Sequence, residues 1–295
     1  MKTESQNPVI SWLWKIPVIA VTYFFGVMIA GAVITAAKMP WPEFPGATDE
    51  ATNFALGLIG AFLMAICLAS LARGIRGSQA LRWFILTAFA YVTFGLNNQI
   101  EAAIFTTYGG TTTMILFFIL PCAFGAAAAA WLFRPESTDR APESTFAERS
   151  VSNWWWRVVI AWLAFPAIYI FFGMLAAPFV VPVYQAQDFG LTLPGFSIMI
   201  PVALARSALY LAVTIPVLVT WSRSRRSLFW ALAISFFAMM GLIGLVTATF
   251  FPPVLRIAHS IEILGDALVY AWFLVTLFIP KVRQEVNEPV AVAAD

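Results

Sequence analysis

One arginine limits what this chain can fold into more than any other residue does. Residues 193–221 form an apolar run long enough to cross a bilayer, and Arg206 sits near its middle. A guanidinium at that depth costs about 3 kcal/mol on insertion scales and more in simulations, so a nearby group must compensate it. Two other apolar runs carry candidates: Asn97, Asn98 and Glu101 in one, His259, Glu262 and Asp266 in the other. The expectation is a multi-pass membrane protein whose helices enclose a polar cluster.

Composition agrees with that expectation. Of the 295 residues, 61% are hydrophobic and only 11% charged, against about 25% charged in a soluble domain. The mean hydropathy is +0.84. Hydrocarbon is then the expected solvent for most of the chain, and lipid its first partner. The net charge of +2 is spread over segment ends rather than gathered in a patch, which gives no surface for nucleic acid. Cys67 and Cys122 lie inside apolar runs without a CxxC spacing, so they read as small packing residues.

Runs of bilayer length occur at residues 16–37, 53–71, 81–106, 113–133, 158–180, 197–220, 228–250 and 254–279. The fold class is therefore all-α and polytopic, with about eight transmembrane helices. The first run exceeds the 7–15 residues of a signal-peptide core and reads as a retained helix. Arg73, Arg76 and Arg82 mark the second link; Arg134, Arg140, Arg149 and Arg157 the fourth; Arg223, Arg225 and Arg226 the sixth. Lys281 and Arg283 follow the last run, and the alternate links are poor in positive charge. By the positive-inside rule both termini are expected in the cytoplasm, with the cell (inner) membrane the expected location. Most tryptophans, among them Trp14, Trp41, Trp83, Trp131 and Trp230, fall near run ends, where indole anchors at the headgroup level.

A faint repeat runs through the chain. Phe24-Phe25-Gly26 matches Phe171-Phe172-Gly173, and the same offset aligns Arg76 with Arg223, Leu81 with Leu228 and Trp83 with Trp230. Four helices per half is an even number, so two such halves would share one orientation. The expected organisation is a first half at 1–133, a cytoplasmic linker at 134–153, a second half at 154–281 and a cytoplasmic tail at 282–295. The linker and tail are rich in charged and small polar residues and suit solvated segments.

With that topology Glu101, Arg206 and Glu262 come to a common depth of roughly 8–14 Å below the outer surface, at 1.5 Å per residue. His259, Glu262 and Asp266 share one helix face at i, i+3 and i+7; Asn97 and Asn98 precede Glu101 by four and three residues. Polar faces on such helices turn to the bundle interior or to a water-filled cavity. Three function classes remain. The cluster binds or passes a small solute, ion or proton, with Arg206 binding an anionic group or tuning a carboxylate and Glu101 or Glu262 exchanging protons. Alternatively it is an ion-pair network in a structural or sensory membrane protein. Or it serves a membrane-embedded enzyme acting on a lipid or other hydrophobic substrate. His259 with Glu262, Asp266 and Glu101 offers one nitrogen and three carboxylates to a divalent ion, but no paired metal motif is present and an arginine stands beside them. No nucleophile elbow or phosphate-binding loop accompanies them.

Overall fold

The computed structural model describes residues 8–43, 49–135 and 149–279. The linker expected at 134–153 is described only at 134–135 and 149–153, and the tail and both chain ends lie outside the described residues. Within them the chain is helical, with β-pairing limited to two isolated bridges. Eight helices are long and apolar enough to cross a membrane. They are α1 (Pro8–Ala36), α2 (Glu50–Ala72), α3 (Gln79–Phe105), α4 (Thr112–Leu132), α5 (Val151–Gln185), α6 (Phe196–Thr220), α7 (Arg225–Thr247) and α8 (Pro253–Phe278).

Several helices start earlier than the apolar runs do, and the cause is capping. Ser78, Ser150 and Ser224 each accept a hydrogen bond from a first-turn N–H, opening α3, α5 and α7 with a polar turn that hydropathy passes over. Helix α5 is the clearest difference. It spans Val151–Gln185 where 158–180 was expected, about 50 Å at 1.5 Å per residue. Its last turns therefore project past the bilayer-length run and carry Tyr184.

The neighbour pattern is the same in each group of four. Helix α1 packs on α4 and α2, and α3 on α4; likewise α5 packs on α8 and α6, and α7 on α8. The groups meet where α2 crosses α7 and α3 crosses α6. Both α3 and α7 contain a π-helical turn, at Tyr91–Leu96 and Ala238–Leu242, and these turns touch each other at mid-bundle. Neither helix contains proline, so these irregularities are set by inserted residues rather than by ring sterics.

The arginine-rich ends lie on one side of the bundle and close it. Arg76 N donates to Thr220 O at 2.9 Å and Ser222 N to Gly74 O at 2.8 Å, a reciprocal bridge between the links that follow α2 and α6. Arg82, 4% exposed, donates to the carbonyls of Ile75, Ala130, Ala72 and Phe133, satisfying the C-terminal ends of α2 and α4. Arg149 and Arg225 do the same for Phe278 and Ile279 at the end of α8. Cys67 and Cys122 are free and buried.

Candidate functional site

Arg206 lies on the face of α6 that crosses α3, just past the π turn of α3. It is 3% exposed. Its Nη2 pairs with Glu101 Oε1 at 2.6 Å and donates to the Tyr210 hydroxyl at 3.2 Å, while Nε donates to Asn97 Oδ1 at 2.9 Å. Tyr210, one turn along α6, donates its hydroxyl to the same Asn97 oxygen. The guanidinium carbon stands 5.0 Å from the centre of the Tyr169 ring and 5.6 Å from that of Phe165, both on α5. Charge, hydrogen bonds and aromatic faces together compensate the buried cation.

The π turns take part in this directly. A π turn leaves backbone carbonyls without their usual helical partner. Asn97 Nδ2 donates to the carbonyl of Met240, inside the π turn of α7, at 3.3 Å. Asn97 thus ties α3, α6 and α7 together with one amide. It also reaches Asn98 Oδ1 at 3.4 Å.

The α8 residues form a second group. His259 Nδ1 meets Glu262 Oε2 at 2.7 Å, and His259 Nε2 meets the Tyr184 hydroxyl at 3.3 Å. With Nδ1–H donating to the carboxylate, Nε2 accepts from tyrosine, which gives a continuous Tyr184–His259–Glu262 chain. Asp266, one turn further in, is 2% exposed, and its Oδ1 has no hydrogen-bond partner. Among the described residues no three His, Cys, Asp or Glu side chains come close enough to hold a metal ion.

The two groups share a cavity of about 850 Å³ between α3, α5, α7 and α8. Its polar end presents Asn98, Gln99, Glu101, His259 and Glu262. Its walls are apolar and aromatic, including Phe94, Phe105, Phe118, Tyr169, Met174 and Ile263. Residues of the inter-helix links, such as Tyr108, Leu193 and Phe251, mark its mouth, on the side away from the arginine-rich ends. Burial pushes the Tyr108 hydroxyl there up to about 12, so it is a neutral hydrogen-bonding group at the entrance. Gln187 and Phe189, in the α5–α6 link beside the mouth, hold φ of 54° and 57°, a strained left-handed backbone for both residue types.

Of the seven residues singled out from sequence, Asn98, Glu101, His259 and Glu262 line the cavity, whereas Asn97, Arg206 and Asp266 lie behind its wall. Arg206 pairs with Glu101, and Glu262 takes His259 as its partner. Sequence reasoning missed Gln99, Tyr169, Tyr184 and Tyr210. Tyr210 left a trace, at i+4 from Arg206, and Gln99 stands directly beside Asn98 in sequence; Tyr169 sits in apolar surroundings and Tyr184 past an expected run end.

Eight helices of bilayer-spanning length around a buried charged cluster give this chain the build of an integral membrane protein. No protein-family model, curated protein or solved structure matches it.

Proposed function

We propose that the chain binds a small solute in the cavity and passes it across the membrane, with protons exchanged at Glu262 and Glu101. The observation that carries this reading is a cavity of about 850 Å³ that ends on two carboxylates otherwise surrounded by apolar helices. Cavities of roughly 300–1,000 Å³ with apolar walls and few convergent polar groups are the usual form of small-molecule sites. The Tyr184–His259–Glu262 chain, largely buried and partly open at His259, supplies a route for protons between mouth and floor. A solely structural role accounts for Arg206, whose partners close around it. It gives no reason for a cavity beside Glu262, or for Asp266 left without a partner one turn below.

We also infer that the chain is a duplication of a four-helix unit, with halves at 1–133 and 154–281, and that the arginine-rich side faces the cytoplasm. Support comes from π turns that begin at Tyr91 and Ala238, the offset that separates the two Phe-Phe-Gly motifs, and from the reciprocal Arg76–Thr220 and Ser222–Gly74 bridge. Parallel halves of this kind are related by an axis along the membrane normal, and one half rocks against the other around the site between them.

The test is uptake of labelled neutral, anionic and cationic solutes into vesicles holding the purified protein. Uptake of at least one class above empty vesicles, lost in Glu262→Gln and Glu101→Gln proteins that still purify as folded species, is the expected result. Vesicles no more permeable than empty ones to every class would overturn the reading.

A further inference from the structure

The charge balance of the cluster identifies the class of solute, provided that the cavity is a solute site as proposed above. Three buried or half-buried carboxyl groups, Glu101, Glu262 and Asp266, stand around a single guanidinium. Glu101 already takes the charge of Arg206 at 2.6 Å. Glu262 and Asp266 are left with His259 as the one other group able to carry positive charge. Among the described residues the remaining groups facing them are hydroxyls: Tyr169 and Tyr184 from α5 near Glu262, and Tyr210 from α6 near Asp266. Helix α7 contributes no ionisable side chain there. Uncompensated negative charge in a low-dielectric interior is strongly unfavourable, so the cluster must hold either protons or an added cation.

The cavity then distinguishes between cations. A hydrated inorganic ion gains nothing from walls of phenylalanine and methionine. An organic cation with an apolar body gains from both ends: the charge meets the carboxylates, and the body removes apolar surface from water. Aromatic faces at Phe94, Phe105 and Tyr169 add cation–π attraction. Met114, Met174, Met199 and Met240 line the same space, and flexible thioether chains adapt to bodies of different shape. An anion is disfavoured, because Arg206 lies behind Glu101 and presents no surface to the cavity.

We propose that the site takes a monovalent organic cation with an apolar body, seated against Glu262 and Glu101, and that it enters in exchange for a proton. A cation arriving beside Glu262 forms a carboxylate–cation pair with it and displaces one proton from the cluster. The released proton leaves through His259 and the mouth, so the buried cluster carries the same total charge before and after. Proton and cation compete for one site, which is the thermodynamic basis of exchange.

The experiment uses the full-length protein in detergent with radiolabelled tetraphenylphosphonium as the probe, and its near-isosteric anion tetraphenylborate as the competitor. Saturable cation binding is expected, weakening by up to about tenfold for each unit fall in pH through the carboxyl titration range. About one proton is released per cation bound, measured in weakly buffered solution. Glu262→Gln should abolish proton release. Gly173→Leu keeps every ionisable group and projects beside Glu262 Oε1, which lies 3.3 Å from a Cβ built at Gly173; it should lower cation binding by filling the space. Tetraphenylborate binding as tightly as the cation, or cation binding with no proton release and no pH dependence, would overturn the inference. Either result leaves the cavity standing as a solute site for another class, whereas the vesicle assay alone decides whether any solute passes.

Discussion

The two crossings that join the groups of helices are built in opposite ways. Where α6 crosses α3, beside the π turn of α3, Arg206 clamps Asn97 and Glu101. Where α2 crosses α7, beside the π turn of α7, the contact is Gly60 against Ile243 and Thr247, with a Cβ built at Gly60 only 3.2 Å from the isoleucine. The second crossing is the ordinary membrane solution, a small residue that lets backbones approach. The same bundle thus closes one crossing without any charge at all. Holding helices together therefore does not call for a guanidinium. Both crossings reach the cavity, the apolar one through Thr247 and the polar one through Glu101, and only the polar one brings charge to it.

The largest effect that would break this comparison is on Arg206. Arg206→Ala leaves Glu101 and Asn97 facing each other without their cation and should cost about 3–5 kcal/mol, the range for removing one partner of a buried pair. The checking measurement is the thermal unfolding midpoint of the detergent-purified protein. A joint Arg206→Leu, Glu101→Leu change should recover most of that loss and make the crossing apolar, like its α2–α7 counterpart. Solute uptake should stay absent in the double variant. A double variant as unstable as Arg206→Ala would mean that the clamp is a folding requirement, and the contrast between the crossings would lose its functional meaning.

Gly60→Leu acts on the other crossing and should have a smaller effect. Its side chain would meet Ile243, and overpacking of this kind costs about 1–3 kcal/mol. Since Gly60 lies outside the cavity lining, the unfolding midpoint should fall while the solute affinity of the folded fraction is unchanged. A fall in affinity equal to that of a cavity residue would show that the two crossings move as one body and sharpen the comparison into a mechanical link.

What the sequence disclosed follows from the same contrast. Charged residues in apolar runs are rare enough to stand out, so Arg206, Glu101 and Glu262 were legible, and the runs themselves placed the helices. Aromatic residues are not rare there. Tyr169 and Tyr184 look like any lipid-facing tyrosine until α5 is seen to bring them to the cavity. The π turns were equally hidden, because one inserted residue changes no hydropathy. Faces were only coarsely legible: Asn97 and Asn98 both lie within a turn of Glu101 by spacing, but adjacent helix positions point about 100° apart, and Asn97 turns to Arg206 while Asn98 turns to the cavity. Caps were overlooked for a related reason, since a serine-led first turn is too polar to register as part of a span.

The smallest effect concerns how the two crossing helices begin. Helix α2 opens on Asp49, whose carboxylate accepts from the Thr52 N–H at 2.9 Å and from the Thr52 hydroxyl at 2.7 Å. Those bonds, the hydroxyl first, hold the Asp49 carboxyl below the usual carboxylate range. Helix α6 opens on Gly195 with extended backbone and no side-chain cap. Gly195→Asn should therefore add a cap that α6 lacks and raise stability by a few tenths of a kcal/mol, the usual difference between glycine and a polar cap. There is room for it, since the nearest atom to a Cβ at Gly195 is Ser197 Oγ at 3.7 Å. Asp49→Ala should act in the opposite direction on α2. The two caps also differ in pH response, because only aspartate titrates. Asp49 favours the folded state above the ordinary carboxylate range, and its contribution disappears as pH falls through its lowered value. Comparing unfolding midpoints of the native and Asp49→Asn proteins between neutral and acid pH should show the native protein losing this increment on acidification, and the asparagine variant keeping its cap. Equal acid responses in the two proteins would mean that the start of α2 is held by its packing rather than by its cap.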